Sequence, residues 1–544
     1  MGSEGSNALE ELDAIVVGAG FAGLYMLHRL RRLGLSVRVV EAGGGVGGTW
    51  YWNRYPGARC DVESLEYSYQ FDEALQQEWE WSERYAGQPE ILRYLEHVAD
   101  RFDLRRDITF DTRVQGATYD EDADRWSVHT DPGDPVSARF LVMATGCLSS
   151  ANVPDIEGVD RFGGETLHTG RWPHEGVDLT GKRVGVIGTG SSAIQAIPVI
   201  AEQAAELVVF QRTASYSVPA RNAPLDPDEV REVKAEYAAL RARNRQMPAA
   251  FGARTPPTTE SALETDADER DHRFAERWER GGFGFLGAFT DLLVDRRANA
   301  SAADFVRRKI AETVSDPVTA ALLAPDQVIG CKRLCLDSGY FETFNRPNVR
   351  LLDIRSAPIE EITPTGLRTA HGHVELDVLV LATGFDAMTG TLLRMDLRGR
   401  GGTTLAAAWA DGPRTYLGLG VPGFPNLFTI SGPGSPSVLT NMVVSIEQHV
   451  DWIAACIAHL RATGATAIEA TEEAADDWVA HVNAVADLTL FPTCSSWYLG
   501  ANIPGKPRVF MPLPGFPPYA QRCDDVAAAG YDGFTVTRPH PQGA

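Results

Sequence analysis

The sequence predicts an α/β protein made of two Rossmann-like dinucleotide-binding domains with a helical insert. Three observations predict it. A strand, glycine turn, helix and second strand follow one another near the N-terminus, and a second such unit starts 170 residues further on. Between residues 220 and 330 Arg, Glu, Asp and Ala dominate and strand-like alternation disappears.

The first unit opens with Ala-Ile-Val-Val-Gly at 14–18, an apolar run suited to a buried strand. The helix after it carries Leu24, Leu27, Leu30 and Leu33, with Gly34 placed as its C′ residue. Ser36 to Val40 form the next strand, with Glu41 at its tip. The second unit has strands at Val184–Ile187 and Leu207–Phe210 around the turn Gly188-Thr189-Gly190-Ser191-Ser192-Ala193. In the insert, Asp226-Pro227 and Asp316-Pro317 each read as an N-cap followed by proline at the first helical position. The segment Thr255–Thr259, with Pro256 and Pro257, reads as a loop. Two apolar strands end alike, in Ala144-Thr145-Gly146 and Ala382-Thr383-Gly384, which suggests two crossings between the nucleotide domains. The resulting division gives 1–150 and 385–544 to the first domain, 151–219 and 331–384 to the second, and 220–330 to the insert.

The chain has 544 residues, and its charge of −23 repels phosphate backbones, so no nucleic-acid partner is expected. No apolar run approaches the length of a membrane span, and no membrane partner is expected. The 7 cysteines are odd in number and none has CxxC spacing. Neither a disulfide framework nor a metal site is expected, and a reducing, cytoplasmic setting fits. The N-terminus formally matches a myristoylation pattern at Gly2 with Ser6, but lacks a following polybasic patch and reads as an acidic leader. The protein is expected to be a monomer or a weak oligomer.

Gly18-x-Gly20-x-x-Gly23 sits between strand and helix, where its glycines permit a tight turn, a pyrophosphate approach and close helix packing. Glu41, 23 residues after Gly18, is placed to accept hydrogen bonds from ribose hydroxyls. At the same spacing the second unit has Gln211 followed by Arg212. An arginine there either pairs with a 2′-phosphate, selecting NADPH over NADH, or is a solvated strand-end charge. FAD in the first domain and NADPH in the second follow from these differences. A disulfide reductase would need two redox cysteines close together beside the flavin. Cys60 and Cys147 have no such neighbours, while Cys331 and Cys335 flank a Lys-Arg pair well away from the first unit.

Beyond this point the residues resemble a family. Phe162-x-Gly164-x-x-x-His168-x-x-x-Trp172-Pro173 precedes the second glycine turn, and Gly47-Gly48-Thr49-Trp50, Tyr55-Pro56-Gly57 and Asp61 form a second pattern. Both resemble the fingerprints of type I Baeyer–Villiger monooxygenases, nearest the phenylacetone and steroid monooxygenase branch. The likeness implies an NADPH- and O₂-dependent enzyme that converts ketones to esters or lactones through a C4a-peroxyflavin and a Criegee adduct. Bulky apolar, arylalkyl, cyclic or steroid ketones are the implied substrates, with sulfoxidation as a side activity. An unprotected peroxyflavin would decay to hydrogen peroxide.

The resemblance also assigns roles. Arg333, in Cys331-Lys332-Arg333-Leu334, becomes the active-site cation that stabilises peroxyanion and oxyanion, where a bare Lys-Arg pair would read as solvated charge. Asp61 would position it, or cap a helix. Lys332 would join Arg212 on the 2′-phosphate, and Trp497 would touch the nicotinamide ribose rather than serve only as core. His168 would couple the linker to NADP. Ser191 and Ser192 belong to the second glycine turn. Ser437, Val438, Leu439 and Met442 would line the ketone pocket, with Thr440 beside them. Thr493–Lys506, with Gly500 and Gly505 as hinges, is the expected lid. The alternative is an N- or S-oxygenating flavin monooxygenase, which shares the glycine turns but lacks the Trp-Pro ending. A non-catalytic FAD-binding protein would have lost Arg333 or the NADPH unit.

Overall fold

The computed structural model describes residues 10–538. The Gly2 and Ser6 pattern lies outside the described residues.

The apolar run at the N-terminus forms strand Glu10–Val17, and helix Phe21–Arg32 turns its buried face of Leu24, Leu27 and Leu30 onto the sheet. Gly34 (φ 71°) follows that helix, and the Leu35 N–H reaches back to the Leu30 carbonyl, which satisfies one of the last helical acceptors. The first sheet runs in the order Asp396–Arg398, Arg113–Asp120, Arg125–Asp131, Val136–Met143, Glu10–Val17, Val37–Val40, Ile108–Thr109. Its central pairs are parallel, with Val17 opposite both Val40 and Met143. Strand Leu427–Thr429 joins Val136–Met143 on its other side, so chain from beyond residue 385 completes this sheet.

The second sheet is parallel throughout, in the order Val349–Asp353, Glu206–Gln211, Arg183–Ile187, Val378–Leu381, Glu165–His168. Its inner strands Arg183–Ile187 and Val378–Leu381 are almost wholly apolar and buried, as befits parallel strands covered on both faces. The segment 220–330 is helical, with helices from Pro227 to Leu323 and no strand. The Asp226 and Asp316 side chains accept from backbone N–H groups of their first turns, and each is followed by proline at the helix start. The chain leaves for these helices through strand Ser217–Pro219 and returns through Cys335–Asp337, which pair in parallel. That pair sets Arg333 two residues before a buried strand.

The two crossovers lie side by side. Asn152 N–H donates to the Gly384 carbonyl, Asp386 N–H to the Ser150 carbonyl, and Ala151 bridges Phe385 in antiparallel fashion. Among the described residues no helix is long and apolar enough to cross a membrane.

One expectation fails. Cys331 and Cys494 form a disulfide across 163 residues of sequence, with Cα atoms 6.1 Å apart. Cysteine spacing could not reveal it, because tertiary packing brings the two loops together. The other five cysteines are buried thiols.

Candidate active site

The two glycine turns are built alike. A Cβ on Gly18 (φ 104°) would stand 2.7 Å from the Ala144 carbonyl oxygen, and one on Gly188 (φ 113°) 2.4 Å from that of Ala382. Each first glycine is thus pressed against the Ala-Thr-Gly end of its neighbouring strand. A Cβ on Gly23 would overlap the Gly18 carbonyl, which is how the helix comes so close to the strand. In the second unit Ala193 takes the third place and is fully buried.

The loop Gly47–Trp50 lies over the first turn. Gly47 N–H donates to the Ala19 carbonyl, and a Cβ on Gly48 would sit 2.8 Å from the Gly20 Cα. This bare backbone cradle, at a helix N-terminus, suits a pyrophosphate. Thr49 and Trp50 begin the short helix that follows, and Trp50 Nε1 donates to the Tyr67 hydroxyl. Glu41 is buried. Its two oxygens accept from the Ala19 N–H (2.7 Å) and the Gly43 N–H (2.8 Å). Burial raises its pKa, and those two backbone bonds hold the rise back. The carboxylate therefore ties the turn to the strand tip, and each oxygen keeps a lone pair for a hydroxyl.

The second turn is open. Nothing lies within 4 Å of a Cβ on Gly190, and Ser191, beside it, is exposed. Arg212 is exposed and Lys332 half-buried. The Lys332 pKa is lowered, first by burial and then by the Arg212 charge, so the two cations face one another closely enough to repel. Asp326, the carboxylate acting on Lys332, is ion-paired with Arg355. Two adjacent cations left to each other make a fitting seat for a phosphate dianion.

The central contact joins the two halves. Arg333 Nε and Nη2 donate to the two oxygens of Asp61 at 2.6 and 2.7 Å, and Nη1 donates to the Val438 carbonyl at 2.6 Å. The guanidinium lies 5.0 Å from the Phe283 ring centroid. Burial works against the cation, but the Asp61 charge and its hydrogen bonds outweigh burial, and the Arg333 pKa stands above its ordinary value. Asp61 is held by its own loop: a Cβ on Gly57 would sit 2.3 Å from the Gln195 carbonyl oxygen, and Tyr55 donates to Gln195 Oε1. Gln195 Nε2 returns a bond to the Arg59 carbonyl. The loop of the second pattern is thereby clamped onto helix Ser191–Gln203 of the other nucleotide unit.

His168 ends the edge strand of the second sheet. Its Nδ1 accepts from the Gly170 N–H, which leaves Nε2 protonated and 3.3 Å from the Asn152 carbonyl, with the Thr383 hydroxyl at 3.4 Å. Its pKa is lowered, chiefly by burial. Asn152 and Thr383 belong to the two crossovers, so this one imidazole touches both. Phe162 packs around Gly164, where a Cβ would meet the Asp377 carbonyl oxygen at 2.3 Å, and Trp172 is buried beside Pro173.

The expected pocket residues fall into buried and partly exposed groups. Ser437 is fully buried, with its hydroxyl turned to the Ser431 carbonyl and to Met388 sulfur. Val438 contributes its carbonyl to Arg333. Thr440 is buried and donates to the Ser437 carbonyl. Leu439 and Met442 remain partly exposed. Trp497 is half-buried against Tyr498. Sequence reasoning missed the contacts made by Phe283, Gln195, the Val438 carbonyl and the Lys506–Asp386 pair (2.6 Å), because each joins segments far apart in the chain. A separate cleft of about 660 Å³, lined by Tyr416, Trp478, Tyr519 and Arg522, contains none of the residues above.

Residues 15–266 match the family described as "Pyridine nucleotide-disulphide oxidoreductase". The chain is 46% identical over 533 residues to the Baeyer-Villiger monooxygenase of Pseudooceanicola batsensis, covering 97% of each. It superposes on a structure of oxidized steroid monooxygenase bound to NADP with TM-score 0.92 and 57% identity, over 97% of this chain and 100% of that one. It superposes on OTEMO in complex with FAD and NADP with TM-score 0.93 and 42% identity, over 97% and 99%.

Proposed function

Because the chain belongs to the type I Baeyer–Villiger monooxygenase family, we propose that it converts a bulky apolar ketone, with O₂ and NADPH, into an ester or lactone plus water. The observation that carries this is the Arg333–Asp61 pair at the junction of the two nucleotide units.

FAD and NADPH, when bound, would supply the two electrons that activate O₂, and O₂ itself provides the oxygen atom that is delivered. The glycine turn with the Gly47–Trp50 loop and Glu41 would hold FAD. The second turn, with Arg212 and Lys332, would hold NADPH. Arg333 stays protonated at its guanidinium and offers a fixed positive charge to the oxyanion that grows on the substrate carbonyl. Asp61 fixes the plane of that guanidinium through a bidentate contact, so little reorganisation is needed as charge develops. The bond to the Val438 carbonyl sets the pocket loop in register with the same group. Leu439 and Met442 offer apolar surface to the ketone. Segment 493–506, carrying Trp497, would close over NADP and exclude water. Asn502 and Lys506 anchor it to the second crossover at Phe385, Asp386 and Ala387. His168, in touch with both crossovers, would pass domain motion between them. We place the activity in the cytoplasm, where NADPH is supplied.

The test is product analysis on a panel of linear, cyclic, arylalkyl and steroid ketones, with an amine and a sulfide alongside. Ester from at least one ketone is expected. Oxygenation of the amine with no ester from any ketone would favour N-oxygenation instead. Arg333→Ala should retain FAD yet lose roughly 100- to 1,000-fold in ester formation, the usual cost of deleting one oxyanion-stabilising donor.

A further inference from the structure

We propose that the Cys331–Cys494 disulfide is a reversible redox latch that locks segment 493–506 to the loop carrying Lys332 and Arg333. The inference rests on the reading of that segment as the cover over NADP.

The placement is what argues for it. Cys331 is separated from Arg333 by Lys332 alone, and Cys494 stands three residues before Trp497. The bond therefore joins the phosphate-seat lysine and the oxyanion arginine to the root of the cover. The far end of the cover has its own anchor, Lys506 on Asp386 and Ala387. With the disulfide closed, the segment is pinned at both ends. With it open, one end can lift.

The roots of the two loops stay near each other without the bond, so a lifted Cys494 can return to Cys331. Leu490 N–H donates to the Leu293 carbonyl, and Ile329 N–H to Asn299 Oδ1, so both loops rest on one stretch of the insert. A reduced pair would stay poised to close again. The two sulfurs differ in access: Cys331 is 1% exposed, whereas Cys494 is only partly buried. An external dithiol attacks the accessible Cys494 sulfur, the S–S bond breaks, and Cys331 leaves as thiolate and takes up a proton. The second thiol of the reductant then frees Cys494.

Closure needs a two-electron oxidant, and hydrogen peroxide from turnovers that fail to deliver oxygen is at hand. Cys494 thiolate attacks one peroxide oxygen, the O–O bond breaks, and hydroxide leaves as water after protonation. Cys331 thiolate then attacks the sulfenic acid, the S–O bond breaks, and a second water leaves. Two sulfurs are oxidised by one electron each, and one peroxide is reduced to two waters. A poorly coupled enzyme would thus tighten its own cover. In a reducing compartment a solitary disulfide of this kind is more often a redox sensor than a staple.

The experiment uses FAD-loaded full chain and two readouts, thiol count and NADP⁺ release, on the parent and two variants. Titration of the denatured protein after peroxide treatment should give 5 thiols, and 7 after dithiothreitol, from 5 free cysteines and 7 in total. Stopped-flow release of NADP⁺ should be roughly tenfold faster from the reduced protein than from the oxidised one. Cys494→Ser should release NADP⁺ at the fast rate whether or not reductant is present. Lys506→Met, which cuts the opposite anchor, should accelerate release without changing the thiol count. Seven thiols after peroxide overturn the latch. So does NADP⁺ release that ignores reduction while responding to Lys506→Met, a result that leaves the cover reading standing. Indifference to both changes overturns the cover and the latch together.

Discussion

A single guanidinium carries the proposed chemistry, and what surrounds it decides how it behaves. Arg333 is bound on three sides, by Asp61 through two hydrogen bonds, by the Val438 carbonyl and by the Phe283 ring. Arg333→Lys keeps the charge but loses the planar fork, so it should fall well short of restoring the rate while binding FAD normally, as steady-state ester formation would report. Phe283→Leu removes the ring beneath the cation. It should lower ester yield per NADPH more than it lowers NADPH oxidation, because a less constrained arginine stabilises the oxyanion poorly. Arg212 and Lys332 show the converse arrangement, two cations kept near each other. Arg212→Ala should raise the KM for NADPH by roughly 10- to 100-fold, in line with the loss of a charge-assisted hydrogen bond, and leave that for NADH nearly unchanged. Equal effects on both coenzymes would remove the assignment.

At the scale of elements, the site depends on backbone approaches that only glycine allows. Gly57 combines φ 78° with a Cβ position 2.3 Å from the Gln195 carbonyl oxygen. Gly57→Ala should therefore cost about 2 kcal/mol or more, part from left-handed backbone and part from the collision. It should also weaken the Asp61–Arg333 geometry, because this loop carries Asp61. Thermal unfolding and ester formation should fall together. Helix Met442–Thr463 shows a different element-scale property. Glu447 is buried on it, accepts from the Gln70 and Phe71 N–H groups, and has its pKa raised to about 7, chiefly by burial. The folded state thus binds a proton that the unfolded chain, titrating near 4.5, has given up. Stability from this group is complete below pH 4.5 and is lost as pH rises through 7. Glu447→Gln keeps an acceptor for the two N–H groups. It should match the parent at pH 5 and melt higher at pH 8, by an amount on the order of 2–3 kcal/mol at most.

At the scale of the molecule, a mixed sheet and a sheet that is parallel throughout are joined by two adjacent crossovers, with one imidazole touching both. His168→Ala should leave both sheets folded, by circular dichroism, yet reduce ester formation relative to NADPH oxidation, because the crossovers lose their shared contact. How much of this was legible in the sequence varies with the kind of signal. The glycine turns, their strands and the helices of the insert follow local rules: apolar period, N-cap with proline, glycine where φ is positive. The Gly34 terminus and the Asp226 and Asp316 caps appear in the structure for those same local reasons. Arg333 and Asp61 were legible only through resemblance, since 272 residues separate them and no spacing rule spans that distance.

Amino-acid order alone determined the two nucleotide units, the helical stretch inserted after the second and the difference between Glu41 and Arg212. Those properties are written within windows of about 30 residues, where period and turn chemistry act on neighbours. Tertiary structure alone decided that Phe283 lies beneath Arg333, that Gln195 holds the loop of Asp61, and that Cys331 meets Cys494. Each of these joins segments brought together by packing of the insert and the two sheets, and contact between distant segments leaves no periodic trace in the chain.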